Sequence, residues 1–274
     1  MPMSEPNSGE KAAIPHQPLR AGGGVAWENV HDQDASWRKK LVGEISDAFI
    51  LPRYVRLFYE TFGQGRDQDF VEIGSGNGEN SKAVIAGNRA PLGADGKPGD
   101  GKVIRKYLAT EVFEDGVAWL RKEGLDAEQA SAEKLPFGDA SFTAAISFDV
   151  MHHVDNPRNM AREMMRVGRG RALLTESNGL SIPRKLLELT PSRRAAGEQS
   201  YTPWRYRSFF ENQPGFRIKQ FTIYPFLFPF KCPAFFLPAL VAFNKLIEYV
   251  PFFRWQCSSV VIVVDYERTE APKP

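Results

Sequence analysis

Apolar residues near the start of the chain recur at helical spacing. Trp37, Leu41, Ile45 and Phe49 stand four positions apart in "ASWRKKLVGEISDAFI", and charged residues lie between them. This spacing predicts a helix with one apolar stripe. The stretch "RYVRLFYETF" continues the pattern, so residues 25–66 are predicted to form an N-terminal helical cap.

The middle of the chain alternates short apolar runs with helical stretches. The runs "DFVEIG", "KYLATEV", "SFTAAISF" and "RALLTES" have the length of strands. The stretches between them predict helices near Glu79–Gly87, Asp115–Glu123 and Asn159–Val167. Strands that alternate with helices favour βαβ units and a mainly parallel sheet, so the predicted fold class is α/β. The segment "GNRAPLGADGKPGDG" predicts a long loop in the first crossover.

The last third holds the most apolar segment of the chain, residues 225–257, between the strand-like runs "FRIKQFTIY" and "SSVVIVVDY". Four prolines and Lys231 interrupt its first half. A membrane-spanning helix needs about 20 consecutive apolar residues, and proline breaks a helix interior. The segment is therefore predicted not to span a membrane.

Composition narrows the class of protein. The 274 residues are 42% hydrophobic and 25% charged, which is typical of a globular enzyme. A net charge of +2 gives no electrostatic indication of nucleic-acid binding. Cys232 and Cys257 are too few for a disulfide framework or a cysteine-rich metal site, and no metal site is predicted. Residues 1–24 lack an apolar signal sequence and predict a disordered leader, hence a cytoplasmic protein.

The stretch "FVEIGSGNGEN" carries the main candidate chemistry. Gly74, Gly76 and Gly78 follow a predicted buried strand, an arrangement that brings bare backbone close to a ligand. The spacing G-x-G-x-G differs from both common phosphate-binding patterns. Glu72 would repel a pyrophosphate but suits a ligand with an ammonium group or a positive sulfur. A purely structural tight turn is the simpler alternative.

An acid ends the second predicted strand as well. Glu111 closes "YLATE", where a carboxylate can bind two ribose hydroxyls. A solvated carboxylate at a strand end is the alternative reading.

These motifs, together with "AEKLPF", "ISFDVMHHV" and "MMRVGRGRALLTE" in this order, resemble the class I S-adenosylmethionine-dependent methyltransferases. The likeness is greatest to the type 11 branch, which acts on small molecules and lipids, and it covers about residues 70–176. The resemblance implies a Rossmann-like, seven-stranded, mostly parallel sheet in the order 3-2-1-4-5-7-6 with helices on both faces. The methyltransferase domain would comprise residues 67–274, with residues 225–257 inserted between the last two strands.

The resemblance also implies a cofactor, S-adenosyl-L-methionine, and roles for particular residues. Glu72 and the turn Gly74–Gly78, Ser75 included, would hold its amino-acid end. Glu111 would bind the ribose, and Ala132 and Glu133 would line the adenine, Ala132 through its backbone amide. Ser147 and Phe148 would flank the methionine part.

One position departs from the family pattern. The family usually has an aspartate directly before the Ala-Glu pair, where it meets the adenine amino group, and Ser131 stands there in this chain. A hydroxyl accepts a hydrogen bond more weakly than a carboxylate does. The adenine contact is therefore the predicted interaction with the weakest basis.

Candidate groups for the methyl acceptor lie nearby. His153, and after it His152, could act as a general base, with packing or helix capping as the alternative. Glu176 and Asn178 stand at the carboxyl end of the fifth strand and are predicted to touch the acceptor, with a loop hydrogen bond or helix cap as the alternative.

The resemblance places the connection 225–257 at the mouth of the active site. It could cover a small-molecule, hydrophobic or lipid-like acceptor and touch a membrane surface peripherally. A subdomain that packs its own aromatics, or a dimer interface, is the other reading. Two rival functions are a non-catalytic methyltransferase-like binding subunit and a nicotinamide-dependent oxidoreductase. No nucleic-acid partner is predicted, and the oligomeric state is open.

Overall fold

The computed structural model describes residues 50–93, 95–190, 199–227 and 234–269. The predicted leader, residues 1–24, and the apolar stripe from Trp37 to Phe49 lie outside the described residues. So do residues 228–233 of the predicted insertion.

Seven strands form one sheet in the order β3-β2-β1-β4-β5-β7-β6. β1 to β5 pair in parallel, and β7 runs antiparallel to both β5 and β6. The predicted fold class and strand order are therefore confirmed. The strands are β1 (Gln68–Ile73), β2 (Ile104–Glu111), β3 (Ala127–Gln129), β4 (Phe142–Phe148), β5 (Gly168–Ser177), β6 (Phe216–Leu227) and β7 (Ser259–Arg268).

Helices connect the strands and lie where the apolar spacing predicts them in the middle of the chain. They are α1 (Leu51–Phe62), α2 (Glu79–Ala86), α3 (Glu114–Lys122), α4 (Pro157–Val167), α5 (Ile182–Glu188), α6 (Pro203–Phe210), α7 (Leu237–Tyr249) and α8 (Pro251–Arg254). A 3-10 turn, Ala234–Phe236, precedes α7. None of the helices in the described part of the chain is both long and apolar enough to cross a membrane.

Helices cover both faces of the sheet. On one face, Met160, Met164 and Met165 of α4 and Tyr206 of α6 pack against alternate strand residues such as Val71. On the other face, residues of α1, α2 and α7 pack against the intervening strand positions. Strand residues buried on both sides explain why the runs read as continuously apolar in the sequence.

Helix α1 belongs to this core. Its Phe58 and Phe62 contact Phe70 of β1, with ring centroids 4.9 Å apart in both pairs. The predicted boundary between residues 66 and 67 thus separates two segments that share one hydrophobic cluster.

The strand register gathers the candidate residues at one edge. Ile73 at the end of β1 lies opposite Ser147 of β4 and Thr110 of β2. Leu227 of β6 pairs with Ser259 of β7, so the connection 228–258 leaves and rejoins the sheet at this same carboxyl edge. Ligands of open parallel α/β sheets bind at that edge.

Candidate functional site

The glycine turn after β1 has a conformation that L-residues rarely adopt. The φ angles of Gly74, Gly76 and Gly78 are +69°, +55° and +78°. A Cβ atom at Gly74 would lie 2.7 Å from Val150, whereas one at Gly76 would meet nothing within 4 Å. Gly74 is therefore required by packing, and Gly76 borders open space at the tip of the turn.

Glu111 connects this turn to β2. Its Oε2 accepts a hydrogen bond from the Gly76 amide at 3.1 Å, and its Oε1 accepts one from the Val112 amide at 2.8 Å. Burial raises the pKa of Glu111, and these backbone hydrogen bonds oppose the rise. The two elements predicted to share a ligand thus meet at one carboxylate.

Glu72 lies beneath the turn and is 1% exposed. Its Oε2 accepts hydrogen bonds from Ser81 Oγ at 2.5 Å and Tyr107 Oη at 2.7 Å. Burial, with a smaller contribution from the charge of Glu111, raises the pKa of Glu72 to about 6. With a pKa of about 6, the Glu72 carboxyl is mostly ionised at neutral pH and can attract a cationic ligand, although contact between Glu72 and the cofactor stays a prediction.

Two buried hydroxyl groups at this edge lack a hydrogen-bond partner. They are Ser75 Oγ in the turn and Ser147 Oγ at the end of β4. Their residues are 7% and 0% exposed, and a buried polar atom without a partner costs about 1–3 kcal/mol. Both positions were predicted to face the cofactor, and a polar ligand at the edge would supply the missing partner.

The predicted adenine segment forms a tight turn after β3. Ser131 Oγ accepts a hydrogen bond from the Glu133 amide at 3.3 Å, so this hydroxyl stabilises the turn itself. Glu133 Oε1 accepts one from the Asn156 amide at 3.0 Å. Ala132 is half-buried beside the core. The turn is anchored from two sides, and its contact with adenine stays a prediction.

Glu176 and His152 form a buried pair below the loop that follows β4. Glu176 Oε1 accepts hydrogen bonds from the amides of Val150 and Met151, and its Oε2 lies 2.7 Å from His152 Nδ1. Glu176 is 0% exposed, and burial raises its pKa to about 7. These contacts give Glu176 and His152 a structural role, and contact between Glu176 and an acceptor stays a prediction.

His153 is the more accessible histidine. Its ring is half-buried, and its centroid lies 4.0 Å from that of His152. Of the two candidate bases, His153 is therefore the one that a ligand can reach.

Asn178 is fully buried and fixes the last connection of the sheet. Its Nδ2 donates to the carbonyl oxygens of Trp255 at 2.9 Å and Cys257 at 2.8 Å, and its Oδ1 accepts from the Leu180 amide. The geometry gives this side chain an anchoring role, and contact with the acceptor stays a prediction.

Asp149 and Tyr54 are site residues that the sequence reasoning did not single out. Asp149 has a φ of +59°, and its Oδ2 accepts a hydrogen bond from Tyr54 Oη at 2.9 Å. Burial, and next to it the charge of Glu176, raises the pKa of Asp149 to about 6. An aspartate held in the left-handed region at a strand end is typical of a functional loop. The only sequence signal was its position directly after Ser147 and Phe148.

Together these groups suit a cationic nucleoside ligand. The open backbone at Gly76, the carboxylates of Glu72 and Glu111, and the two unpaired hydroxyls fit the ammonium, ribose and sulfonium parts of S-adenosylmethionine. Within the described residues no group of three or more His, Cys, Asp or Glu side chains could hold a metal ion.

Comparison with known protein families bears on which of the candidate functions this edge of the sheet serves. Residues 71–174 match the family model Methyltransf_11, described as a methyltransferase domain. The matched segment begins in β1 and ends in β5, and it contains the glycine turn, Glu111 and Ser147. Over this segment, 104 of the 274 residues, the chain is similar to the methyltransferase domain of class I S-adenosylmethionine-dependent enzymes.

Solved structures of methyltransferases share the fold of this chain. A Bacillus halodurans C-125 protein described as a methyltransferase is 15% identical, with a TM-score of 0.52 over 78% of this chain and 99% of the other. A Thermotoga maritima S-adenosylmethionine-dependent methyltransferase is 17% identical, with a TM-score of 0.53 over 82% and 96%. One chain of a Haloferax volcanii complex of the Trm112 methyltransferase activator with a methyltransferase is 13% identical, with a TM-score of 0.56 over 86% and 96%. None of the curated proteins compared matches the sequence.

Proposed function

We propose that the protein transfers the methyl group of S-adenosylmethionine to a hydrophobic small-molecule or lipid-like acceptor. The observation that carries this proposal is the convergence of Gly76, Glu111 and Ser147 at the carboxyl edge of a matched methyltransferase domain. The family match favours methyl transfer over the hydride-transfer and non-catalytic alternatives.

Each cofactor-binding residue has a distinct task in this proposal. Glu111 exchanges its hydrogen bond from Gly76 for the ribose hydroxyls, and the freed amide faces the ligand. The hydroxyl groups of Ser75 and Ser147, which have no partner among the described residues, form hydrogen bonds with the ligand. The buried carboxylate of Glu72 supplies negative charge under the turn, where low polarity strengthens its attraction for a cation.

The reaction needs alignment more than it needs acid or base chemistry. Held by these residues, S-adenosylmethionine would supply a methyl group on a positive sulfur, which an acceptor lone pair would displace, both electrons of the broken bond staying on sulfur. The chain must therefore hold the acceptor in line and exclude water. An acceptor that carries a proton loses it, and His153, the more accessible of the two candidate bases, is proposed to take that proton.

An aromatic cluster next to Asp149 supports a hydrophobic acceptor. The ring of Tyr54 lies 5.1 Å from that of Phe148 and 5.5 Å from that of Phe226, edge to face in both cases. Leu240 of α7 belongs to the same cluster. These rings are buried in the core behind the strand ends, and we propose that a non-polar acceptor lies against the edge of this apolar layer.

The test compares acceptor panels in a turnover assay. Purified protein is incubated with S-adenosylmethionine and matched hydrophobic and polar hydroxyl or amine compounds, and formation of S-adenosylhomocysteine is measured. Turnover with hydrophobic members supports the proposal, whereas turnover with polar members alone rejects the acceptor class. Saturable binding of S-adenosylhomocysteine with no turnover on either panel favours the binding-subunit alternative.

A further inference from the structure

Exposed large apolar side chains of the described residues concentrate at one edge of the sheet. Eleven such side chains are exposed, and ten of them lie between Ile182 and Phe253. These ten are on the connections that follow β5 and β6 at the carboxyl edge. The remaining one, Leu92, lies on the loop that leads into β2 at the opposite edge.

Helix α5 contributes the first part of this apolar surface. Ile182 and Leu186 are 64% and 61% exposed, and the helix has no buried residue. Ser181 Oγ donates to the carbonyl oxygen of Gln256 at 2.8 Å, so the start of α5 lies against the segment before β7. A helix of seven residues is only marginally stable in water by itself. The exposed apolar side chains of α5 therefore indicate a surface that a partner covers.

The connection before β7 contributes the second part. Phe235, Phe243, Leu246 and Phe253 are exposed there, Phe235 by 76%. The opposite side of α7 is buried through Leu240, which packs against the core under α1. A helix with apolar residues toward both the core and solvent has a second apolar face to cover.

Trp204 is a further exposed aromatic residue on the connection that follows β5. It is 64% exposed in the first turn of α6, directly after the segment where the Gly179 amide donates to the Tyr201 carbonyl oxygen. Tryptophan and tyrosine are enriched where proteins meet the boundary between lipid and water.

The same connections carry an excess of positive charge. Over the described residues of these connections, 180–190, 199–210 and 234–258, the sequence has six Lys and Arg but two Asp and Glu, a net charge of +4, whereas the whole chain has +2. Arg205 and Arg254 are both exposed beside the apolar positions. Apolar side chains interleaved with basic ones suit an anionic lipid surface, because the apolar groups enter the acyl-chain boundary and the basic groups meet the anionic headgroups.

We propose that this carboxyl-edge surface docks on an anionic membrane. The aromatic and leucine side chains enter the boundary between headgroups and acyl chains, and the arginines contact phosphate groups. A second copy of the chain fits less well, because a symmetric dimer would press two positive faces together. The inference goes beyond the proposed function and does not depend on methyl transfer.

Vesicle sedimentation of the full chain tests the proposal without cofactor or acceptor. Binding to phosphatidylcholine vesicles that contain phosphatidylglycerol is expected, and binding to pure phosphatidylcholine vesicles is expected to be weaker by about tenfold or more. The double variants Trp204→Ser/Leu246→Ser and Arg205→Gln/Arg254→Gln should each lose about tenfold in affinity. Leu92→Ser is the matched control, since it removes an exposed leucine from the opposite edge and should bind like wild type.

Three outcomes overturn the docking surface. They are absent binding by wild type, equal loss in Leu92→Ser, and a wild-type dimer that the apolar double variant separates while no vesicles are bound. Thermal unfolding followed by circular dichroism confirms that each variant is folded. Titration with S-adenosylhomocysteine separates the two proposals, because intact cofactor binding without vesicle binding rejects the membrane surface alone.

Discussion

The Glu111 carboxylate accepts a hydrogen bond from the Gly76 amide, so the acid that ends β2 holds the tip of the turn that follows β1. One ligand that replaces this contact would engage both elements together. The contact also explains how Glu111 is kept buried before a ligand arrives, since the backbone amides of Gly76 and Val112 satisfy its oxygens.

Substitution of Gly76 by alanine should separate cofactor binding from stability. The added methyl group enters the open space where the ligand is proposed to bind, and an L-residue at φ +55° costs about 1–2 kcal/mol. Gly101→Ala is the matched control, because Gly101 has a φ of +81° and also meets no atom within 4 Å. Both variants should unfold at similar denaturant concentrations, but calorimetry should show weakened S-adenosylhomocysteine binding for Gly76→Ala alone. Equal binding by the two variants would remove Gly76 from the site.

Tyr54→Phe should change the titration of Asp149. The tyrosine hydroxyl donates to Asp149 and lowers the pKa of that carboxyl, so its removal should raise the pKa above about 6. The free energy of unfolding should fall by about 1–2 kcal/mol. The control is Tyr59, which lies on the same helix as Tyr54. Tyr59→Phe removes a buried hydrogen bond to the Val84 carbonyl and should leave the pKa of Asp149 unaffected. Carboxyl carbon NMR shifts measured against pH would show this, and an unchanged Asp149 titration in Tyr54→Phe would contradict it.

Glu72 should make the protein less stable as the pH rises. Its pKa is about 6 in the folded state and 4.5 ordinarily, so the folded state binds more protons between these values and the free energy of unfolding falls across that window. Glu72→Gln should remove this loss, which amounts to ~2 kcal/mol. The gain over wild type should appear between pH 4.5 and 6 and stay constant above it.

Urea unfolding at a series of pH values measures this difference. Glu123→Gln provides a control of opposite sign, because Lys82 lowers the pKa of Glu123 and its stabilisation is lost as the pH falls. A Glu72→Gln difference that does not vary with pH would show that burial does not perturb this carboxyl.

The two neighbouring histidines should respond differently to substitution. His152→Ala removes a buried partner of Glu176 and should lower the free energy of unfolding by about 2–3 kcal/mol. His153→Gln should keep stability and binding of S-adenosylhomocysteine but lower kcat by about 100-fold with a proton-bearing acceptor. An unchanged kcat would show that methyl transfer proceeds without His153 as a base.

The order of strands and helices was predictable because buried strands and amphipathic helices leave different periodicities in the sequence. The glycine turn and Glu111 were predictable because strand-end positions of a parallel sheet share one edge. The inward orientation of Glu176 and Asn178 was not, since the direction of a side chain just past a strand depends on tertiary contacts. The Tyr54–Asp149 contact joins positions 95 residues apart, and no local pattern encodes it.

The pairing of Leu227 with Ser259 has a consequence for how acceptor preference can change. The polypeptide leaves the sheet and returns to it at adjacent points, and the Asn178 amide holds the returning end through main-chain carbonyls alone. Neither attachment depends on which side chains occupy residues 228–256. Because Leu240 of α7 packs in the core, we expect exchange of exposed side chains such as Phe243 and Leu246, rather than of the whole stretch, to leave the sheet and the glycine turn in register.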